Sequence, residues 1–255
     1  MSGGAVVDVI AALALPADTR VERRVPKKLL LEQGAPTAAD KRQIQDGIEE
    51  LTWVAALKPN NIGVPAFRDA AREYLEIAVL TATLRDIAKA SRLTELIHRA
   101  IPYPVVLVSA QGNGQSLSLA HKRWSQGEAG AVVIEEVRRT GPLRSDSPAA
   151  NDAAFLSSLA LSGLHAGDLS ALYQGWIDRV IAFEAAAITG SFAVPETADR
   201  SAVRREALAI HARLLRDIAT MRAQAQRETQ MNRRVELNLA IKRLEAELAA
   251  AAKEL

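Results

Sequence analysis

Apolar positions along this chain change their spacing several times, and each change predicts an element. Residues 5 to 15 are apolar and Ala-rich, which predicts a short helix ending near Pro16. From Thr19 to Leu31, Val21, Val25 and Leu29-Leu30-Leu31 surround Arg23, Arg24, Lys27 and Lys28, and no single period emerges. Thr37 is a good N-cap and Asp40 a good first-turn acid. Behind them Ile44, Ile48, Leu51 and Val54-Ala55 recur at helical spacing through Trp53, so a helix is expected to run up to Lys58. Ile62 and Val64 then predict a short strand before Pro65.

The middle of the chain reads as sheet. Glu73 to Leu84 is rich in β-branched and apolar residues and predicts one buried strand. Ser91 to Ile101 places Leu93, Leu96, Ile97 and Ile101 at helical spacing, with Ser91 as cap and Pro102 as stop. Pro104 to Ala110 predicts a second apolar strand, and Gln111-Gly-Asn-Gly-Gln a tight turn into an alternating strand at Ser116 to Ala120. The order is β-α-β-β, with an edge strand expected at Val132 to Val137.

A Gly-, Pro-, Ser- and Asp-rich stretch from Thr140 to Asn151 predicts a linker. Residues 152 to 188 are helical in pattern, interrupted around Gly163 to Gly167. From Asp199 to Leu255 there is neither proline nor glycine, so this part reads as one long helix or a helical hairpin. Leu237, Ile241, Leu244, Leu248, Ala251 and Leu255 step by four and three, the spacing of a seam that packs against a partner or against its own protein. An upstream stripe of Ile210, Leu214, Ile218 and Met221 is separated from it by the largely polar bridge Ala223 to Arg234, where a hairpin would bend. The expected fold class is therefore α/β: a small mixed sheet with flanking helices over residues 1–140, a helical segment packed on it at 152–190, and a C-terminal arm at 197–255.

Composition narrows the function classes. With 255 residues and 49% hydrophobic content the chain is long enough for a generous core, and no apolar run approaches a membrane span. The first ten residues lack a basic leader region, and the chain has no cysteine, so a cytoplasmic protein without disulfides is expected. The net charge is only +2, yet basic residues cluster: seven Lys or Arg against three acids between Arg20 and Arg42, and eleven against seven from Ser201 to Leu255. Such clusters meet phosphate or acidic protein faces, or simply solvate a surface.

Motifs for chemistry are sparse. His98, His121, His165 and His211 lie on separate elements without metal-ligand spacing, there is no phosphate-binding Gly-x-x-x-x-Gly-Lys run, and no Gly-x-Ser-x-Gly elbow presents a nucleophile. No metal and no cofactor are expected. Glu73 and Glu76 with Lys122 are the pieces a divergent metal-dependent nuclease would draw together, but no acid lies between Glu95 and Glu128 to complete the set. Candidate nucleic-acid contacts are Arg23, Arg24, Lys27 and Lys28, the pair Lys122-Arg123 beside Trp124, and Arg233-Arg234 in the polar bridge.

Several segments, taken in order, carry a resemblance. They are Arg-Val-Pro-Lys-Lys at 24–28, Thr37-Ala-Ala-Asp-Lys-Arg leading to Ile48-Glu-Glu-Leu-Thr-Trp-Val-Ala-Ala-Leu-Lys-Pro, Tyr74-Leu-Glu-Ile, Ile101-Pro-Tyr-Pro and Asn232-Arg-Arg-Val-Glu-Leu-Asn. The chain resembles, over nearly its whole length, a bacterial family catalogued as a domain of unknown function. Members of that family look alike in gene setting, beside DNA methyltransferases and superfamily 2 helicases in phage-defence or restriction-type islands. The resemblance implies a non-catalytic accessory subunit that bridges a helicase or methyltransferase to its partners or to DNA; apart from it, the seam of the last helix leaves self-association as a further expectation. The resemblance transfers no catalytic residue.

Overall fold

A computed structural model describes residues 8–127, 132–164 and 167–255. These form two compact units, one running to Val180 and one from Ile181 to Leu255. Residues 5–7 of the first expected helix, and His165, lie outside the described residues.

In the first unit the chain begins with helix α1 (Val9–Ala12), whose N-cap Asp8 accepts from the backbone of Ala11 at 3.0 Å. Strand β1 (Arg20–Arg24) and helix α2 (Lys27–Gln33) resolve the ambiguous stretch, with Pro26 at the corner between them. Helix α3 (Ala38–Gly47) starts at Thr37 as expected, its hydroxyl accepting from Asp40 N at 3.1 Å.

The helix does not continue to Lys58. It stops at Gly47, and Ile48–Leu57 is strand β2, paired antiparallel with β1 on one side. The apparent helical period has a physical origin. Register shifts between Ile48 and Glu50, and between Trp53 and Ala55, break the two-residue alternation, so the buried positions of this strand imitate helical spacing. Two-sided pairing then outweighs the local pattern. The strand expected at Ile62 and Val64 is also absent: Pro59–Ile62 is a single helical turn, α4, because Pro59 occupies its first position and the Asn61 side chain accepts from Lys58 N at 2.8 Å. Gly63 closes it in the left-handed region at φ 69°.

The segment expected as one strand from Glu73 to Leu84 is divided. Strands β3 (Phe67–Arg68) and β4 (Glu73–Tyr74) make a small separate ladder, and β5 (Ile77–Leu84) enters the main sheet antiparallel to β2. Helix α5 (Ala90–Ala100) follows, capped from Lys89 instead of Ser91, and carries the chain across to β6 (Val105–Gln111), parallel to β5. A turn at Gly112, φ 54°, leads into β7 (Gly114–Trp124), which runs four residues further than expected and so takes Lys122, Arg123 and Trp124 into the sheet. Strand β8 (Val132–Arg139) pairs with β7, and β9 (Leu143–Arg144) forms a short second ladder on β7 inside the expected linker. The main sheet is ordered β1-β2-β5-β6-β7-β8, and β5-α5-β6-β7 is the β-α-β-β core.

Leu30, Ile44, Leu93, Leu96 and Ile97 from α2, α3 and α5 close over Leu51, Leu80, Ala82 and Leu107 of the sheet. Val79, Val106 and Val108 alternate to the opposite face and are buried as well, which is why β6 reads as a continuous apolar run. Helix α6 (Asp152–Ser158) and helix α7 (Leu169–Thr189) follow; the fully buried Trp176 donates to Leu159 O at 3.0 Å, tying the two segments together.

The second unit is built on two long helices, α8 (Ala198–Arg227) and α9 (Met231–Lys253), joined by residues 228–230. The bend falls within the polar bridge. Ile218 and Ala225 of α8 and Ile241 of α9 are buried, with Met221, Leu237, Leu244 and Leu248 packed around them. Arg222 meets Glu245 at 2.7 Å across the pair. Four of the seam positions thus face the neighbouring helix of their own chain, and Leu255 lies beyond the end of α9.

Candidate functional site

A cavity of about 170 Å³ lies in the first unit where the starts of β5 and β6 meet the end of β7. Arg72, Glu73, Leu75 and Glu76 enter it from the β4–β5 break. Pro102, Tyr103 and Pro104 come from the α5–β6 connection, and Lys122, Arg123 and Trp124 from β7, with Val132 closing the list of walls. The short break at Leu75-Glu76 matters here: a continuous strand would alternate its side chains across the sheet, whereas the break lets Glu73, Leu75 and Glu76 line one space.

Lys122 is buried, with 4% of its surface exposed. Its ammonium donates to the carbonyls of Ile101 and Tyr103, and no carboxylate partners it among the described residues. Burial pushes its pKa down to about 7, because an ammonium loses its hydration in this position. Both carboxylates of the cavity are already paired: Glu76 with Lys58 at 3.1 Å, and Glu73 with Arg68. Arg72 reaches Glu135 at 3.2 Å. Arg123 makes a single contact to Trp124 O at 3.3 Å and has no acid partner among the described residues. Unpaired positive charge in the cavity therefore rests on Arg123, joined by Lys122 when its amine is protonated, below about pH 7. Tyr103 and Leu75 are exposed at its rim, at 45% and 54%.

Beside the cavity, Tyr74 and the β7 residue His121 begin a polar chain that the sequence pattern did not reveal. The Tyr74 hydroxyl meets His121 Nδ1, and His121 Nε2 lies 2.7 Å from Gln174 Oε1. Gln174 in turn donates from Nε2 to Asp178 Oδ1 at 2.8 Å, which fixes the orientation of its amide. Because the Gln174 oxygen can only accept, His121 carries its proton on Nε2, and its Nδ1 accepts from Tyr74. Burial pushes the Tyr74 hydroxyl well above its ordinary pKa, so it is a donor at any physiological pH. Tyr173, packed against both rings, accepts from Ala120 N at 2.9 Å and donates to Val105 O at 2.7 Å. These bonds anchor α7 to the ends of β6 and β7 and hold the strand that carries Lys122.

The other expected contacts are scattered. Arg23 and Arg24 are exposed on β1, and Lys28 pairs weakly with Glu32 at 3.7 Å. Lys27 donates to Gln45 O at 3.0 Å, and its pKa is lowered by burial and by the neighbouring Arg85 and Arg24. Arg85 thus joins this patch from a distant part of the sequence. The patch also brings its own acids, since Glu49 and Glu50 share the groove with Arg24 and Lys27. Arg233 and Arg234 are exposed in the first turn of α9 in the second unit, beside a shallow groove with Arg227 and Glu228. Among the nucleic-acid candidates, Lys122 and Arg123 share this cavity, and Lys122 is buried in its wall.

Glu73, Glu76 and Lys122 do line that space together. Among the described residues no group of three or more His, Asp or Glu side chains is placed to hold a metal ion. His98 is fully buried against Ser118 at 3.1 Å, and desolvation, with Lys122 nearby, lowers its pKa to about 3, so it is neutral. Among the described residues no helix is long and apolar enough to cross a membrane.

No curated protein and no solved structure matches the chain. A family model does match, over residues 13–248, which takes in the sheet, the cavity and both long helices. The chain belongs to the DUF4391 family, a domain of unknown function.

Proposed function

We propose that this protein is a non-catalytic accessory subunit of a DNA-targeting bacterial anti-phage system, bridging a helicase or DNA methyltransferase partner and contacting DNA. The observation that carries the reading is on α9. Its inner stripe is occupied by α8, yet Met231, Val235 and Leu239, four residues apart, form a second stripe with about half or more of each side chain exposed. Arg233 and Arg234 flank it. An exposed apolar row beside two cations fits the acidic face of a protein partner. The genomic setting implied by the family resemblance supplies the kind of partner.

Co-purification tests this reading. The tagged full chain should retain the helicase or methyltransferase encoded beside it, and the double variant Val235→Glu, Leu239→Glu should lose it while keeping its helical circular dichroism. A wild-type protein that comes down alone overturns the proposal.

A second reading, a divergent metal-dependent nuclease, is favoured by one observation: Glu73, Glu76 and Lys122 share the cavity. Both carboxylates are held by cations, so they would have to exchange these partners for a metal. Glu76→Gln should abolish phage defence and DNA cleavage if that reading holds, and unchanged defence sinks it.

A further inference from the structure

The walls of the cavity specify a ligand more closely than a general affinity for phosphate does. Its volume of about 170 Å³ is the first constraint. A closed apolar cavity of roughly 150 Å³ accommodates one benzene-sized ring, so this one, which is open at its rim, matches a single six-membered ring better than a fused pair. The second constraint is charge. Glu73, Glu76 and Arg72 are each compensated by an ion pair, while Arg123, and Lys122 whenever it holds its proton, have no acid partner among the described residues, so a guest carrying negative charge is favoured and in turn favours the protonated lysine. Thirdly, two of the three ammonium protons of Lys122 go to Ile101 O and Tyr103 O, which leaves one donor for an acceptor inside the cavity. The carboxylate oxygens of Glu73 and Glu76 in the same walls accept from a guest N–H. Finally, Tyr103 and Trp124 place two aromatic side chains in its walls.

A planar ring with both acceptors and an N–H on its edge, joined to an anion, is a pyrimidine nucleotide. We propose that the cavity binds one pyrimidine nucleotide, with the base inserted between the Tyr103 and Trp124 side of the rim and Lys122, and the phosphate at Arg123. This deepens the DNA-contact part of the proposed function, and it concerns only the first unit. Lys122 then acts as the donor to a base carbonyl, Arg123 as the phosphate cation, and Trp124 as a stacking surface. Docking of a protein on α9 is a separate property, so either can fail without the other.

The test is equilibrium binding by the full chain. Fluorescein-labelled decathymidylate and decadenylate are titrated at fixed salt and followed by anisotropy, with thymidine 5′-monophosphate and adenosine 5′-monophosphate as competitors. Decathymidylate should bind at least about tenfold more tightly than decadenylate, since purines fit less well. Trp124→Ala should weaken decathymidylate binding roughly 5- to 150-fold, the range for loss of one base–aromatic stack. Lys122→Met should erase the preference for thymidylate, and Arg123→Ala should weaken binding while leaving that preference in place. Trp124 and Arg123 are only partly buried, so their variants keep the test valid should Lys122→Met fail to fold. Displacement by thymidine monophosphate identifies a free nucleotide as the ligand, and its failure to displace identifies a strand; both support the site. Absence of binding, equal affinity for the two oligonucleotides, or binding unaffected by all three substitutions overturns it. Loss of partner co-purification with binding intact would strike the docking proposal alone.

Discussion

Replacing Lys122 with methionine should alter the pH dependence of stability more distinctively than stability itself. The ammonium is buried against two carbonyls, and its pKa falls from an ordinary 10.5 to about 7. Below about 7 both folded and unfolded chains hold the proton, and the folded state bears the full desolvation cost. Between about 7 and 10.5 the unfolded chain holds a proton that the folded chain has released, so stability rises with pH through this window. At ~1.4 kcal/mol per pH unit, the whole window amounts to about 5 kcal/mol, and about 3 kcal/mol of it falls between roughly pH 7 and 9.5. The two carbonyl acceptors favour the ammonium and bring the observed amplitude below that figure.

His98, whose electrostatics are coupled to Lys122, is neutral throughout this range, its pKa being about 3. Lys27, also lowered, is common to both proteins and cancels in the difference. The assay is urea unfolding of wild type and Lys122→Met at several pH values from about 6.5 to 9.5. Methionine leaves Ile101 O and Tyr103 O without their donor, at about 1–3 kcal/mol each, so the variant's stability near neutral pH reflects two opposed effects. The slope is the diagnostic quantity: the wild type gains on the variant as pH rises. Parallel pH profiles would refute the assignment of a strongly lowered lysine.

Two further predictions concern the frame around the cavity. Asp40 is held by two bonds from Arg92, at 2.8 and 2.9 Å, and by the Thr37 hydroxyl, which lowers its pKa to about 2 and links α3 to α5. Its contribution is present above an ordinary carboxylate pKa of about 3.8 and is lost as pH falls toward 2, so Asp40→Asn should lower the urea midpoint at neutral pH and flatten the acid limb; an unchanged acid limb would refute this. Gly34 has no room for a side chain, since a Cβ there would sit 2.7 Å from Leu96 O and 2.8 Å from Ala100 Cβ. Gly34→Ala should destabilise by roughly 1–3 kcal/mol through overpacking between α2 and α5, read from the same urea midpoints, and an unchanged midpoint would show that the helices yield.

The fold class was legible from local pattern along the chain. Local period and punctuation sufficed for α5 with its stop at Pro102, for β6, the Gly-Asn-Gly turn and the start of β7, and for a C-terminal arm bending inside Ala223 to Arg234. These elements depend on neighbours in sequence, so their signals survive in a one-dimensional reading. β2 did not, because its two register shifts disguise a strand as a helix and only pairing with both β1 and β5 reveals it. The same holds at the cavity. The sequence marked Lys122 as a surface cation and left Glu73 and Glu76 without a third partner. Tertiary structure decided that β7 runs on to Trp124, that the break at Leu75 turns both glutamates into one space, and that Lys122 is buried there against main-chain carbonyls. Burial and long-range pairing set the charge and access of these groups, and neither is a property of any short stretch of chain.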